Sequence, residues 1–163
     1  MLIAIISDTH LPRGERRLPA ACVRRLRMAD LIIHAGDFST LAVLEELMAL
    51  GPPVRAVHGN VDEPALMSLL PGELELTCDG VALALTHDAG PAPGRLARMR
   101  KRFPEARAVI FGHSHIPLLE GADTFQIFNP GSPTDRRRQP QHTMGLARIA
   151  DGEIHFQHVS LDP

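Results

Sequence analysis

The sequence has few cysteines, little net charge and no long apolar run, and each absence narrows the class of protein. Only two cysteines occur among the 163 residues, Cys22 and Cys78, and neither belongs to a C-x-x-C motif. A disulfide framework or a zinc ribbon is therefore not predicted. The formal net charge is -2, and without a marked excess of lysine and arginine we expect no dedicated nucleic-acid-binding surface.

The apolar segments are also too short for a bilayer span or a signal peptide. The run at residues 1–6 lacks a basic leader and is followed directly by Ser7 and Asp8, and no other run approaches bilayer length. We therefore expect a cytoplasmic protein that does not contact a membrane. The length, with 44% hydrophobic and 22% charged residues, predicts one globular domain over residues 1–163.

Short apolar runs alternate with helical patterns in the first third of the chain. Strands are predicted at residues 2–6, 31–33 and 54–57, with helices over 19–28 and 41–48. This alternation implies parallel strands with right-handed crossovers. The polar residues that follow the three strands should then lie along one edge of a sheet.

The remainder of the chain has mainly strand and turn patterns. Asp79-Gly80 and Asp151-Gly152 each separate two strand-like runs and predict hairpins. Further strands are predicted at 108–111 and 124–128, and a helix at 95–102. The sequence therefore predicts an α/β domain with mixed sheets and helices outside.

Side chains that can bind metals follow the predicted strands. In an extended segment residues i and i+2 point the same way, so Asp8 with His10, and His113 with His115, can each present a pair of ligands. An H-x-H pair alone is more often two ordinary polar histidines in a loop, but seven such side chains on five loops exceed chance placement. The set is Asp8, His10, Asp37, Asn60, His87, His113 and His115.

The types of these side chains indicate the metal and the reaction. Oxygen and imidazole donors without a thiolate suit Mn, Fe, Zn, Ni or Co better than a structural zinc cage. Seven ligands are too many for one ion but enough for two when a carboxylate is shared. Two such ions, ~3.5–4 Å apart, can hold a hydroxide that attacks phosphorus. The net local charge of about +1 would attract a phosphate ester.

The motifs occur in an order that resembles the calcineurin-like metallophosphoesterase superfamily. They are Asp8-x-His10, Gly36-Asp37, Gly59-Asn60, His87 and Gly112-His113-x-His115. The short length, Gly59-Asn60-Val61-Asp62 and Asn129-Pro130-Gly131-Ser132 resemble its small YfcE-like phosphodiesterase branch. The resemblance implies a four-layer αββα sandwich, with two mixed sheets flanked by helices and the site at the strand ends.

The resemblance also implies a role for each site residue. One ion would be held by Asp8, His10, Asp37 and His115. The other would be held by Asp37, Asn60, His87 and His113, with Asp37 bridging the two. Asp37, Asn60 and His113 are the residues expected to act in catalysis. The implied cofactors are two divalent transition-metal ions, with Mn favoured over Ni, Fe, Zn or Co, and the implied substrate is a small phosphodiester.

Two positions depart from the pattern of the relatives. Val61 stands where relatives with strong phosphomonoesterase activity have a histidine that can protonate the leaving group. A general acid contributes typically 10²–10⁴-fold, so slow turnover is expected except with good leaving groups. Asp62 could assist catalysis, cap a turn or orient a neighbour. Asp88 stands where relatives often have glycine, and it could accept a hydrogen bond from a ligand histidine or cap a loop.

Other polar residues are expected to be structural or exposed. His34 and His58 are predicted to pack beside the site, and the remaining histidines, His142, His155 and His158, to lie on the surface. Arg13 and the arginines at 136–138 could reach a substrate phosphate, but a solvent-facing position is favoured.

The main alternative to an enzyme is a non-catalytic or weakly catalytic interaction scaffold, because the similar retromer scaffold subunit keeps this fold as a binding surface. None of the seven ligand residues is missing here, which favours the enzyme. The C-terminal hairpin could expose strand edges that pair between subunits of a homo-oligomer.

Overall fold

A computed structural model describes residues 1–14, 16–122 and 124–162. The described strands are β1 (Leu2–Ile6), β2 (Leu31–His34), β3 (Val54–Ala56), β4 (Glu73–Cys78), β5 (Val81–Thr86), β6 (Ala108–Ile110), β7 (Leu118–Ala122), β8 (Phe125–Asn129), β9 (Thr143–Ala150) and β10 (Glu153–Ser160). The described helices are α1 (Ala20–Met28), α2 (Leu41–Met48), α3 (Pro64–Leu69) and α4 (Arg95–Arg102).

The first sheet has the strand order β10-β9-β1-β2-β3. Strands β1, β2 and β3 are parallel, with Ile5 opposite Ile33, and β9 pairs antiparallel with the other side of β1. β2 is buried along its whole length, as its continuous apolar run predicts. The predicted parallel order is confirmed, and it brings the loops after β1, β2 and β3 to one edge of the sheet.

The second sheet has the order β4-β5-β6-β8-β7 and is also mixed. Both predicted hairpins are present, β4–β5 in this sheet and β9–β10 in the first. At their turns Asp79 and Gly80 have φ of 43° and 79°, and Asp151 and Gly152 have φ of 53° and 77°. Two successive positive φ values match the right-handed twist of the flanking strands, which is why Asp-Gly is favoured there.

Three layers of apolar contact hold the sandwich together. Ile5 and Ile33 of the first sheet meet Leu83 and Ile110 of the second between the two sheets. The outer face of the first sheet is covered by α1, α2 and α3, and that of the second by α4, whose Met99 is fully buried. The predicted four-layer αββα sandwich is confirmed. The shared inner layer also fixes the two sheet edges relative to each other, so loops from both sheets can meet.

Two short elements, α3 and β7, were not predicted from the sequence. α3 has six residues and only Leu66 is buried, while β7 is an edge strand paired with β8 alone. Both are too short to show a clear period. β10 is also an edge strand, and its pairing between subunits stays a prediction. Within the described ranges, no helix combines the length and the apolar character that a membrane crossing requires.

Candidate metal centre

All seven predicted site residues lie where strands of the two sheets end. Among the described residues, two groups of side chains bring their ligand atoms within 4.8 Å of one another. The first ligand group is Asp8, His10 and His115, and the second is Asp37, His87 and His113. Asn60 joins the second ligand group, because its Oδ1 atom lies 3.0 Å from Nδ1 of His113.

The carboxylate of Asp37 lies between the two groups. Its Oδ2 atom is 3.2 Å from Nε2 of His87, in the second group, and 3.7 Å from Nε2 of His10, in the first. Its other oxygen, Oδ1, accepts a hydrogen bond from the backbone N–H of Val61 at 3.1 Å. Oδ2 is therefore the oxygen that faces both groups.

In the first ligand group the imidazole nitrogens converge. Nδ1 of His115 donates to the backbone carbonyl of Asp135, so in the neutral ring Nε2 carries the lone pair. That Nε2 lies 3.1 Å from Nε2 of His10 and 3.4 Å from Oδ1 of Asp8. Two imidazole nitrogens and a carboxylate oxygen within 4.8 Å of one another are the donor types that a transition-metal ion binds.

In the second ligand group one nitrogen has no hydrogen-bond partner. Nδ1 of His87 donates to the carbonyl of Ala35 at 2.8 Å, so the neutral ring presents the lone pair of Nε2 to Asp37. This Nε2 is buried and unpartnered in the described part of the chain. The lone pair of His87 Nε2 and the carboxylate oxygen of Asp37 then lie 3.2 Å apart. Because both atoms are acceptors, a positive charge is needed between them. The residues therefore fit a bound cation.

The pKa shifts of the first group reflect burial. Burial raises the pKa of Asp8 to about 7 and lowers that of His115 to about 4. Burial also lowers the pKa of His10. Both imidazoles are therefore neutral at neutral pH, which is the form that binds metals. The buried Asp8 carboxylate needs a compensating cation in order to ionise fully.

The pKa shifts of the second group reflect its charges. Burial opposes the ionisation of Asp37, but His87, the Val61 N–H and His10 together lower its pKa to about 2. Burial also opposes the protonation of His87, yet the Asp37 carboxylate, 3.2 Å from Nε2, and the charge of Asp8 raise its pKa. The ionised Asp37 thus attracts a positive charge to this point, which a proton or a metal ion can supply.

The backbone at the site is held in a conformation that sequence patterns did not reveal. Nine described residues other than glycine have positive φ, and five of them are candidate ligands: Asp8, His10, Asp37, His113 and His115. Such residues persist only where surrounding contacts fix them, and they concentrate at functional sites.

The glycines of two motifs are needed for space, because a side chain at either position would collide with a polar residue of the site. A Cβ on Gly59 would lie 1.9 Å from Oδ1 of Asp37, and one on Gly112 would lie 1.8 Å from Oγ of Ser7.

The structure distinguishes the alternatives left open for two carboxylates. Asp62 is buried and accepts hydrogen bonds from the backbone N–H groups of Asp37, Ser39 and Gly59. It therefore caps this turn and orients Asp37. Asp88 is exposed and accepts from the N–H of Gly90 at 2.7 Å, as a loop cap does.

Two other histidines flank the site as predicted. His34 is fully buried and stacks on Phe38, and its Nδ1 accepts from the N–H of Gly36. Its Nε2 then donates to Oγ1 of Thr9 at 3.1 Å. His58 is half-buried, with Nδ1 3.1 Å from the carbonyl of Gly59. Neither belongs to a ligand group.

The predicted surface position holds for only one of the three C-terminal histidines. His155 is exposed, but His142 is half-buried and pairs with Asp162 at 2.8 Å. The prediction is wrong for His158, which stacks on Phe128 and hydrogen-bonds the carbonyl of Asn129 at 2.7 Å. Position 158 alternates to the inner face of β10, where the ring reaches the second sheet.

Arg13 and Arg136, two of the arginines that could reach a substrate phosphate, are both exposed. Arg13 is 72% exposed and lies 3.8 Å from Asp135, which also pairs with Arg16 at 3.4 Å. Arg136 is exposed and donates to the carbonyl of Gln139. Sequence reasoning did not find Asp135, since its contact with His115 uses a backbone carbonyl that any residue could provide.

The αββα sandwich and its Asp, His and Asn donor set at one edge define the class of metal-dependent phosphoesterases. The chain belongs to the calcineurin-like phosphoesterase superfamily, whose domain profile matches residues 1–152. It is 35% identical over 155 residues to a probable metallophosphoesterase of Methanothermobacter thermautotrophicus, covering 94% of this chain and 88% of the relative. It is 25% identical over 144 residues to a phosphodiesterase of Methanocaldococcus jannaschii, covering 80% and 83%.

Solved structures share the same fold. Vps29 of Entamoeba histolytica complexed with zinc has a TM-score of 0.77 at 21% identity, covering 99% of this chain and 100% of that one. An archaeal phosphodiesterase has a TM-score of 0.75 at 22% identity, covering 98% and 100%. A Thermotoga maritima protein has a TM-score of 0.76 at 27% identity, covering 98% of each chain.

Proposed function

We propose that this protein is a phosphodiesterase that works with two divalent metal ions, one in each ligand group. The observation that carries the proposal is the position of Asp37 Oδ2 between His87 of one group and His10 of the other, at 3.2 and 3.7 Å. A shared carboxylate is what seven side chains need in order to serve two ions. Membership of the phosphoesterase superfamily supports the same reaction class.

Each site residue has a role in this proposal. Asp8, His10, Asp37 and His115 would hold one ion, and Asp37, Asn60, His87 and His113 the other. When bound, such ions polarise a phosphoryl oxygen and lower the pKa of water so that hydroxide is available at neutral pH. Manganese is the favoured ion, with Ni, Fe, Zn and Co as alternatives. We propose that residues 1–163 act as one domain, and the cytoplasmic location stays a prediction.

The substrate would approach from the open side of the second ligand group. Asn60 and His113 are the exposed members of the set, so a phosphate can reach them from solvent, and their amide and imidazole can orient it. Val61 beside them is 49% exposed and cannot donate a proton to a leaving group. This supports a small diester with a good leaving group as substrate.

The proposal is tested by elemental analysis of the purified protein together with a screen of phosphodiesters. The screen would use a bis-aryl phosphate and cyclic and linear diesters, each with Mn, Ni, Fe, Zn or Co added. We expect about two ions per chain and hydrolysis of at least the bis-aryl phosphate. A protein that binds fewer than two ions and hydrolyses no diester with any metal would contradict it.

The second candidate function is an interaction scaffold on the same fold. The likeness to Vps29 shows the fold and does not by itself favour this function. The complete donor set and the unpartnered Nε2 of His87 favour hydrolysis. Two bound ions without hydrolysis of any diester in the screen would favour the scaffold instead.

A further inference from the structure

The last residue of β8, Asn129, and the segment that follows it reach both ligand-bearing loops of the first group. We refer to residues 129–135 as the 129–135 loop. The Nδ2 atom of Asn129 donates to the carbonyl of Gly112 at 2.7 Å and to Oγ of Ser114 at 3.2 Å. Oγ1 of Thr134 donates to the carbonyl of Thr9 at 2.6 Å. The loop therefore contacts Thr9, which lies between Asp8 and His10 after β1 of the first sheet. It also contacts Ser114, which lies beside His115 after β6 of the second sheet.

Ser132 is the centre of these contacts. Its hydroxyl is buried and donates to the carbonyl of Asp8 at 2.8 Å. The same oxygen accepts from the N–H of Asp135 at 2.8 Å and from that of Thr134 at 3.3 Å. A hydroxyl has one donor and two acceptor sites, so all of its hydrogen-bonding capacity is used inside the protein.

The bond to Asp135 connects Ser132 to the orientation of a candidate ligand. The carbonyl of Asp135 accepts the Nδ1–H of His115, which fixes the tautomer and the direction of the ring. Ser132 thus fixes the backbone of Asp8 directly and the imidazole of His115 through Asp135. Partners of this kind typically change metal affinity by ~10–100-fold when they are removed.

We propose that Ser132 is a positioning residue that sets the geometry of the first ligand group, Asp8, His10 and His115, and acts less on the second, which it reaches through the backbone N–H of His113 that Asp8 Oδ1 accepts at 3.1 Å. This inference rests on the proposed metal-dependent function. The second group has separate supports. The carbonyl of Ala35 orients His87 at 2.8 Å, and Asp62 accepts from the N–H of Asp37 at 3.1 Å. Loss of the Ser132 hydroxyl should therefore weaken the binding of one ion much more than that of the other.

The test compares Ser132→Ala with Thr143→Val. Thr143, the first residue of β9, is also buried and its hydroxyl donates to the carbonyl of Pro130 at 2.8 Å, so the control loses a similar bond to the same loop. It makes no bond to Asp8 or Asp135. Ser132→Cys, which keeps the size but weakens the hydrogen bonds, replaces Ser132→Ala if that variant does not fold.

The first measurement is made on metal-free protein labelled with ¹⁵N-histidine. The hydrogen-bonded Nδ1–H of His115 should give a slowly exchanging proton resonance, assigned by its absence in His115→Gln. We expect Ser132→Ala to lose this resonance and Thr143→Val to keep it. The second measurement is titration with Mn²⁺ and Co²⁺. We expect one of two binding constants to fall ~10–100-fold in Ser132→Ala and neither to change in Thr143→Val.

Three outcomes decide the inference. A Ser132→Ala protein with the parental His115 resonance and both parental binding constants would overturn it. Equal losses in Thr143→Val would also overturn it, because the effect would then belong to general loosening of the loop. A parent that binds no ions, combined with selective loss of the resonance in Ser132→Ala, would support the positioning of His115 while contradicting the phosphodiesterase proposal.

Discussion

The two ligand groups differ in how they are enclosed. In the first, Asp8 and His115 are buried and His10 is nearly so, whereas in the second His113 and Asn60 are exposed beside the buried Asp37 and His87. The first group is therefore the more enclosed one, and hydrogen bonds with Ser7 and with the backbone of Asp135 fix Asp8 and His115 in it. The second group has an open side on which a substrate can bind.

The two groups are also supported by different parts of the chain. The 129–135 loop fixes the first group through Asp8 and His115. Asp62 and the carbonyl of Ala35 fix the second. Among the described side chains, the Asp37 carboxylate is the one that lies within 4 Å of an imidazole nitrogen of each group, and the Asp8 carboxylate adds a bond from the backbone N–H of His113. This arrangement predicts that changes at the supports act mainly on one ion and that a change at Asp37 acts equally on both.

The largest expected effect is that of Asp37→Ala. Removal of the shared carboxylate leaves His10 and His87 without their common oxygen, so both binding constants should fall and hydrolysis of a bis-aryl phosphate should drop to the background rate. Metal titration and steady-state kinetics measure the two effects. Hydrolysis at the parental rate would mean that Asp37 does not bridge two ions and that the site is wrongly assigned.

The next effect is that of Asp62→Ala, which should be larger on the ion of the second ligand group than on that of the first, although Asp62 orients the Asp37 that both groups share. The change leaves three backbone N–H groups without their acceptor, so we expect a loss of at least about 3 kcal/mol in the free energy of unfolding. The binding constant of one ion should fall ~10–100-fold. Chemical denaturation and metal titration are the measurements.

Asp30→Ala is the control for this prediction. The Asp30 carboxylate also accepts a backbone N–H, that of Leu2 at 2.6 Å, but it is remote from both ligand groups. We expect a smaller loss of stability and unchanged metal binding. A parallel fall of both binding constants in Asp62→Ala would contradict the separate support of the two groups.

A third, smaller effect is expected at the open side of the second group. Val61→His would place an imidazole next to Asn60, where it can donate a proton to a departing alkoxide. A native general acid contributes ~10²–10⁴-fold, and a substitution without optimised orientation should raise phosphomonoester hydrolysis by about tenfold. The rate with a bis-aryl phosphate, whose leaving group needs no proton, serves as the control and should change less. An unchanged monoesterase rate would count against a missing acid as the cause of slow turnover.

The fold could be predicted because its signals are local. The apolar runs of β1, β2 and β6 and the Asp-Gly turns specify strands and hairpins within a few residues. β7 and α3 were missed because neither LLEGA nor PALMSL is a continuous apolar run, and five or six residues are too few to show a period instead. The position of His158 was missed for another reason, since its burial depends on contact with Phe128 of the other sheet.

The donor types at the site could also be predicted, but their supports could not. Asp8 and His115 are recognisable as ligand types at strand ends. The carbonyls of Ala35 and Asp135, which orient two of the imidazoles, come from residues 52 and 20 positions away in the chain. A backbone carbonyl has no residue signature, so only the folded structure identifies it.

The smallest effect is expected for Asp88→Ala, which tests how near to the second group a charge can lie without influencing it. Asp88 follows His87 directly, but its carboxylate is exposed and bonds only the N–H of Gly90 among its described contacts. The exposed turn should lose about 0.5–1 kcal/mol of stability. Both metal-binding constants and the bis-aryl phosphate rate should match the parent, because the Nδ1–H of His87 is held by Ala35 instead. A tenfold fall in a metal-binding constant or in the bis-aryl phosphate rate would mean that Asp88 supports His87. The second group would then be supported by the charge of an exposed carboxylate, unlike the first.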